Sequence, residues 1–318
     1  MRTSLLFAAA LSSVLAFVGA AGAADPAPPA PPAAPSATPS SPPPPYSLPW
    51  QLRPAMPVSV VRSDTTIATY NKPGATPDAA PEGTFAVASM LLASYKVTPD
   101  FAPFLRLGVV GNPDGAAVTN LATGATLGIP VGSNMRAALF MGLALPIGSG
   151  SGDTPDPKVL GTERAGILAR SAMDNAMFAV NDLVVFPGLD IAYVANKLTV
   201  QVEATMLALY RVQGEKAQKD SSKTNLTMGV HVGYFFMPWL SAGVELRYQR
   251  WLSLPAAVAA DATGDSRDNV TFAIGPRFHI PIGKRVWLRP GVAYARGLDL
   301  PMSKSEYNII QLDLPVVY

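Results

Sequence analysis

The residues that could do chemistry in this chain are few, and they form no catalytic motif. The sequence has 318 residues with two histidines, His231 and His279, and no cysteine. It contains neither the Gly-x-Ser-x-Gly sequence that presents a nucleophilic serine nor the His-Glu-x-x-His sequence that binds zinc. A hydrolase built on two carboxylates stays open, because acidic residues from different segments can meet in space. We therefore expect no enzyme activity and no cofactor, with such a hydrolase as the less favoured alternative.

Metal and nucleic-acid binding are equally poorly supported. Asp153 and Asp156 suggest calcium, but their spacing matches no complete calcium loop, and solvated turn residues explain them better. The 24 basic and 22 acidic residues give a formal net charge of only +2, without a cluster of Lys and Arg. The sequence therefore predicts no metal site and no nucleic-acid partner.

The charged residues alternate with apolar ones in short segments. The last segment shows this best, because Ile310, Leu312 and Leu314 share one face while Gln311 and Asp313 share the other. A period of two is typical of a strand with one buried face. Although 49% of the residues are hydrophobic, no run after residue 25 reaches the ~20 apolar residues that a membrane helix needs. Hydrophobicity of this kind favours strands that face lipid.

From residue 58 to the end, the chain divides into twelve such segments. The even-numbered connections are short: Thr98-Pro99-Asp100, Gly132-Ser133-Asn134, Ala195-Asn196-Lys197, Met237-Pro238-Trp239 and Gly283-Lys284. Most of the odd-numbered connections are longer and more polar. This asymmetry is consistent with an even number of strands that begin and end on the same side of a membrane.

The alternation, the turn asymmetry and the terminal aromatic Tyr318 resemble bacterial outer-membrane β-barrel proteins of the porin and transporter type, at the level of the class. The resemblance implies an all-β, antiparallel, up-and-down transmembrane barrel of about 12 strands. It also implies the outer membrane of a Gram-negative bacterium, contact with its lipid, and recognition of the C-terminal strand by the barrel-assembly machinery. A soluble β-sandwich also alternates, but it does not require the terminal aromatic residue.

If the apolar faces meet lipid, the opposite faces line the lumen. The predicted lumen-lining residues are Lys96, Arg106, Arg136, Asp182, Asp190, Glu203, Arg211, His231, Glu245, Arg247, Arg277, His279, Arg289 and Asp313. Arg62 and Asp64 lie in the weakest segment and have no assigned direction. Two interpretations remain open: ion pairs that fill a narrow barrel, or a polar path for small solutes with a weak preference for anions.

Two segments precede the barrel region of residues 58–318. Residues 1–24 have the features of a cleaved signal peptide: Arg2, an apolar stretch, and the small residues around Ala24. No cysteine follows, so a lipoprotein is not expected. Residues 25–57 are rich in Pro and Ala, which predicts a disordered, extended spacer able to contact the cell wall or a periplasmic partner.

The longest interruption of the barrel region, residues 148–180, is predicted to be an external loop with a helix over 162–180, capped by Thr162. The sequence does not decide whether this loop folds into the barrel. The favoured function is a channel or transporter for small solutes. The alternative is a sealed structural or adhesive barrel that acts through its loops and its Pro-rich tail.

Overall fold

The computed structural model describes residues 46–72, 82–216, 220–283 and 285–318. The predicted signal peptide and residues 25–45 of the predicted spacer lie outside the described residues. The described strands form a closed antiparallel barrel of 12 strands. The first strand closes the barrel by pairing with the last, Val60 opposite Val317. Consecutive strands are neighbours throughout, as the up-and-down prediction requires, and the closed barrel excludes a sandwich.

Fifteen strand elements make up the wall. They are β1 Val60–Lys72, β2 Glu82–Ser94, β3 Phe101–Asn112, β4 Gly115–Val118, β5 Leu121–Pro130, β6 Met135–Leu145, β7 Asp182–Ala195, β8 Leu198–Arg211, β9 Ser222–Met237, β10 Leu240–Trp251, β11 Asp268–Phe278, β12 Ile280–Pro281, β13 Trp287–Leu288, β14 Gly291–Gly297 and β15 Asn308–Val317. Three of the 12 strands are interrupted, so that β4 and β5, β11 and β12, and β13 and β14 each form one strand of the barrel. We call the end of the barrel that carries the short connections the turn end, and the opposite end the loop end.

The outer surface of the barrel is apolar. On β9, Met228, Val230 and Val232 are exposed, whereas the alternating residues Thr227 and His231 are buried. The same pattern recurs on the other long strands. Soluble monomers rarely expose contiguous apolar patches larger than a few hundred Å². An apolar belt around a closed barrel, in which each strand pairs with neighbours on both sides, is the arrangement that a bilayer permits.

The inner faces of the strands carry many small side chains. Buried alanines of the wall are Ala86, Ala88, Ala102, Ala122, Ala138, Ala144, Ala192, Ala273, Ala293 and Ala295. Strand side chains of this size do not fill a barrel of 12 strands. The buried apolar core therefore includes residues from two segments that enter the barrel, among them Trp50 and Met177.

The helices of the described residues are α1 Pro157–Ala169, α2 Asn175–Phe178 and α3 Ala256–Ala259, with a 3₁₀ turn at Asp265–Arg267. The predicted bounds of 162–180, with a Thr162 cap, were wrong. The helix begins earlier because Asp156 Oδ1 accepts from the Lys158 amide at 2.9 Å and Pro157 suits the first turn. It ends before Ser171 and Ala172, whose φ values of 56° and 53° are left-handed. Within the described residues, no helix has the length and apolarity to cross a membrane.

Candidate functional site

Residues 46–59, which we call the inner segment, run inside the barrel. The sequence analysis assigned most of them to the extended spacer, whereas the structure places residues 46–57 against the inner wall, with Tyr46, Trp50 and Leu52 buried. The Ser47 amide donates to Thr199 Oγ1 at 3.0 Å near the turn end. The chain then rises to Trp50 at mid-height, returns, and continues into β1. The inner segment is therefore a re-entrant loop that enters from the turn end.

Charged and polar wall residues hold the backbone of the inner segment. The Trp50 amide donates to Glu245 Oε2 at 2.7 Å, and the Trp50 carbonyl accepts from Gln311 Nε2 at 3.0 Å and from Arg62. Gln201 Nε2 donates to the Arg53 carbonyl at 2.6 Å. These bonds satisfy backbone groups that would otherwise be buried without partners. The inner segment is thus bound specifically to several strands.

Glycines in the wall make room for two buried apolar side chains of the inner segment, Trp50 and Leu52. The ring of Trp50 lies so close to Gly291 that a Cβ there would be 2.6 Å from its Cζ3. A Cβ at Gly229 would overlap Leu52. The guanidinium of Arg277 covers the Trp50 ring, with Cζ 4.5 Å from the ring centroid. The recesses and the inner segment therefore fit one another sterically as well as by hydrogen bonding.

The connection between β6 and β7, residues 146–181, also folds into the barrel. We call it the insertion. Its helix α1 packs against β1, β2, β3 and β4. Arg170 is fully buried and bridges Asp64 and Asp174 at 2.7 Å each. Arg106 of β3 also binds Asp174, with Nη2 to Oδ2 at 2.8 Å. The sequence left open whether this loop folds into the barrel. In the structure it does, and the insertion narrows the lumen from the loop end.

The inner segment and the insertion touch each other at mid-height. Gln51 Nε2 donates to the carbonyl oxygen of Arg170 at 3.2 Å. Asn269 and Arg247 of the wall donate to Ser171, the next residue of the insertion. Together the two segments interrupt the polar path along the barrel axis.

Two acidic side chains of the insertion have altered pKa values. Burial raises the pKa of Glu163 from 4.5 to about 8, and its Oε1 has no hydrogen-bond partner among the described residues. Burial also acts to raise the pKa of Asp174, but Arg106 and Arg170 outweigh it and hold that pKa well below the ordinary value. Asp174 is therefore ionised and paired, whereas Glu163 is protonated at neutral pH.

Most of the predicted lumen-lining residues do face inward. These are Arg106, Arg136, Asp182, Asp190, Glu203, Arg211, His231, Glu245, Arg247, Arg277, His279, Arg289 and Asp313, by their place in the burial patterns of the wall. Lys96 does not, because β2 ends at Ser94 and Lys96 is exposed in the following turn. Arg62 and Asp64, left unassigned by the sequence, are buried and point inward.

Many of the inward charges are paired with each other. Asp313 binds Arg62 at 2.7 Å and Arg277 at 2.5 Å. Further pairs across the lumen and along its wall are Arg247–Glu245 at 2.6 Å, Arg53–Glu203 at 3.0 Å, Arg211–Asp182 at 2.6 Å and Lys223–Asp182 at 2.7 Å. Ion pairs between charges in the lumen, one of the two interpretations of the sequence, are thus present in the structure. They also include residues of the two inserted segments.

One cluster has the composition of a hydrolytic triad without its geometry. Ser47 Oγ lies 3.3 Å from His231 Nε2, but His231 Nδ1 lies 3.8 Å from Glu245 Oε2, too far for a hydrogen bond. Glu245 is already bound by Arg247 and by the Trp50 amide, and Ser47 is buried. The arrangement holds the inner segment in place and offers no nucleophile accessible to a substrate.

The described residues contain no group of three or more His, Asp or Glu side chains suited to a metal ion. Asp156 serves instead as a helix cap, and Asp153 Oδ1 accepts from the Lys216 amide at 3.1 Å. Both candidate calcium ligands therefore have structural partners.

The sequence analysis missed the inner segment as part of the site. The available signal was the return of Tyr46, Leu48, Trp50 and Leu52 at alternate positions immediately after the proline run. Arg170 and Asp174 were also missed, because nothing in the sequence connects an insertion residue with a particular strand.

A cavity remains beside the inner segment, where the space between the lining atoms is about 970 Å³ when its solvent-open part is included. Its lining combines residues of the inner segment, of the insertion and of the wall. Apolar members include Met56, Met90, Phe104, Met173, Met177, Phe186 and Leu207, and polar members include Arg53, Arg62, Asp64, Arg106, Thr126, Asp174 and Thr205. The inner segment and the insertion thus occupy part of the interior without filling it.

No family model matches the chain, and no curated protein matches it. Among solved structures, a KdgM porin has 12% identity and a TM-score of 0.46, covering 81% of this chain and 99% of that one. A NanC porin has 9% identity and a TM-score of 0.47, over 82% and 98% of the two chains. The COG4313 outer membrane channel from Pseudomonas putida F1 has 12% identity and a TM-score of 0.49, over 85% and 98%. A likeness at this level supports no conclusion about the function of this chain.

Proposed function

We propose that this chain is an outer-membrane channel for small solutes, closed in the described state by the inner segment and the insertion. The observation that carries this proposal is the division of the interior into a fixed wall and two separate inserted segments. The wall contributes small side chains such as Ala138 and Ala293, and two of the largest fully buried side chains, Trp50 and Arg170, belong to the inserted segments. Displacement of these segments leaves a polar path through the barrel.

The charges of the path favour small polar solutes, with a weak preference for anions. Arg62, Arg106 and Arg277 face the lumen, and each of them is paired with a carboxylate in the closed state. When the insertion leaves, Arg170 and Asp174 leave together, so Asp64 and Arg106 each lose a partner. Among the predicted lumen-lining residues that face inward, six are arginines and five are carboxylates, which is a small basic excess. Rings of charged side chains select ions in pores.

Location and assembly follow from the same proposal. The apolar belt suits contact with lipid, and export by a cleaved signal peptide over residues 1–24 remains part of the proposal. Tyr318 ends the last strand, and its amide donates to the Ser59 carbonyl at 3.1 Å where the barrel closes. We propose that the assembly machinery recognises this strand. Contact of the Pro-rich spacer with the cell wall or a periplasmic protein also remains a proposal.

Single-channel conductance of the refolded protein in a planar bilayer tests the function. The variants lack residues 152–176 of the insertion, residues 46–57 of the inner segment, or both. Deletion of 256–266, in the β10–β11 connection, is the matched control, because this exposed loop lies outside the lumen contacts described above. We expect the wild type to be mostly closed, each lumen deletion to raise conductance, and the double deletion to raise it most. The control should behave as the wild type.

Folding of every variant is checked by its heat-dependent mobility on a denaturing gel. If the folded double deletion shows no conductance steps, the channel proposal is refuted and a sealed structural barrel is favoured. If it conducts, reversal potentials in a salt gradient measure the preference for anions.

A further inference from the structure

The cavity beside the inner segment has mainly apolar and adaptable walls. Four methionines, Met56, Met90, Met173 and Met177, come from the inner segment, from β2 and from the insertion. Phe104 and Phe186 complete the wall, with ring centroids 6.5 Å apart. Methionine side chains are unbranched and polarisable, so they adjust to differently shaped apolar partners.

Among the arginines that line this cavity, Arg53 has the most accessible side chain. Its side chain is 27% exposed, whereas those of Arg62 and Arg106 are 8% and 16% exposed. Arg106 places both of its terminal nitrogens on Asp174. The side-chain hydrogen bonds of Arg53 run through Nη1 to Glu203 and Thr205, at 3.0 and 3.5 Å. A guanidinium has five N–H donors, so Arg53 retains donors for a further acceptor.

The surroundings of Arg53 orient its guanidinium towards the apolar part of the cavity. Its Cζ lies 4.2 Å from the ring centroid of Phe140 and 5.4 Å from that of Phe186. Stacking of this kind fixes the plane of the guanidinium, and the edge of that plane carries the donors. A carboxylate that approaches this edge forms charge-assisted hydrogen bonds, which are stronger than those between neutral groups.

We infer that this cavity binds a small amphipathic carboxylate, with its acid group on Arg53 and its aromatic or short aliphatic body between the methionines and phenylalanines. A sugar would leave hydroxyl groups unpaired against these walls. A cation would be repelled by the positive charge of Arg53. The site rests on the proposed channel function for its biological role, because it names the class of solute that enters the lumen.

The first experiment is isothermal titration calorimetry of the full-length refolded protein with three probes. The probes are 4-phenylbutyrate, its neutral amide 4-phenylbutyramide, and butyrate, which lacks the ring. We expect phenylbutyrate to bind about tenfold or more tightly than either of the others, because it alone satisfies both the cation and the apolar wall. Equal affinity for the acid and the amide would overturn the assignment of Arg53.

Two substitutions separate the acid subsite from the apolar subsite. Arg53→Gln should reduce the affinity for phenylbutyrate about tenfold while changing that for the amide little. Thr126→Phe fills the cavity from β5 and should abolish binding of both probes. Its matched control is Thr123→Phe on the same strand, where the side chain faces outward and binding should be retained.

Unchanged binding in the folded Thr126→Phe variant would show that the probes only partition into detergent, and it would refute the site. Failure of the site and failure of the channel are distinguishable, because calorimetry requires no conduction. If the full-length protein binds phenylbutyrate specifically but the double deletion shows no conductance, only the channel proposal is refuted. Conductance without specific binding refutes this inference alone.

Discussion

Truncation of Trp50 is the sharpest perturbation of the closed state. Trp50 is 1% exposed, lies against Gly291 and is covered by Arg277. Its hydrogen bonds to Glu245 and Gln311 use the backbone. Trp50→Ala therefore removes the side-chain contacts and leaves the backbone bonds possible.

The loss of docking free energy in Trp50→Ala follows from the burial of the Trp50 ring. Replacing a buried aromatic side chain by Ala costs about 3–5 kcal/mol. Because the ring belongs to the inner segment, this cost falls on the docked state of that segment rather than on the strand pairing of the wall. Each 1.4 kcal/mol changes an equilibrium tenfold, so the population of the undocked segment should rise by roughly two to three and a half powers of ten.

Two assays measure this population. Open probability in a planar bilayer should rise with the undocked fraction. Labelling gives a second readout, because the sequence has no cysteine. Ser47→Cys introduces a single thiol at a position that is 2% exposed in the closed state. A water-soluble maleimide should therefore react much faster with this thiol in the Trp50→Ala background than in the wild-type background.

The matched control is Trp239→Ala, which removes a tryptophan that is 50% exposed at the turn end. It should change neither conductance nor labelling. If folded Trp50→Ala shows the labelling rate and the open probability of the wild type, the inner segment does not close the barrel through this side chain. The argument from its burial would then be refuted.

Three further predictions concern the same two segments. Gly291→Val should displace Trp50 sterically and give the same phenotype, with no additional effect when combined with Trp50→Ala, as patch-clamp recording can show. Arg170→Gln leaves the buried Asp64 without its ion-pair partner and leaves Asp174 paired with Arg106 alone. Breaking a buried ion pair costs about 3–5 kcal/mol, so trypsin should cut the insertion faster, whereas Arg164→Gln on the exposed face of α1 should have little effect. Glu163 has a pKa of about 8 in the docked insertion against an ordinary value of 4.5, so docking is most stable below pH 4.5 and weakens as the pH rises through 8. Cleavage at pH 9 relative to pH 6 should therefore increase more in the wild type than in Glu163→Gln, and equal ratios would contradict the pKa argument.

The fold was predictable from the sequence because the wall follows one simple physical rule. Lipid outside and polar groups inside impose a period of two, which residues such as Leu312 and Asp313 display directly. The length of the connections then gave the strand number and its parity. The first strand was the least certain, because Arg62 and Asp64 dilute its pattern, and their partners Asp313 and Arg170 are distant in the sequence.

The contents of the barrel were not predictable by the same rule. The inner segment has no regular secondary structure, and its one signal, the alternation from Tyr46 to Leu52, is short and follows a Pro-rich run that favoured a spacer. Its position depends on individual recesses, such as Gly229 beneath Leu52, which no local pattern reveals. The helix of the insertion was detected, but its start at Asp156-Pro157 was missed in favour of Thr162, six residues after Asp156.

The pairing of β1 with β15 has a consequence for the order of folding. Arg62 and Asp313 are 251 positions apart, and the Trp50 carbonyl and Gln311 are 261 positions apart. Contacts of such long range form late, because the intervening chain must first lose its freedom. The strand that completes the wall also supplies partners for the inner segment, so this segment reaches its final position only when the seam closes. Assembly intermediates that lack β15 should therefore have a loose inner segment, and its protection from labelling should mark the completion of the barrel.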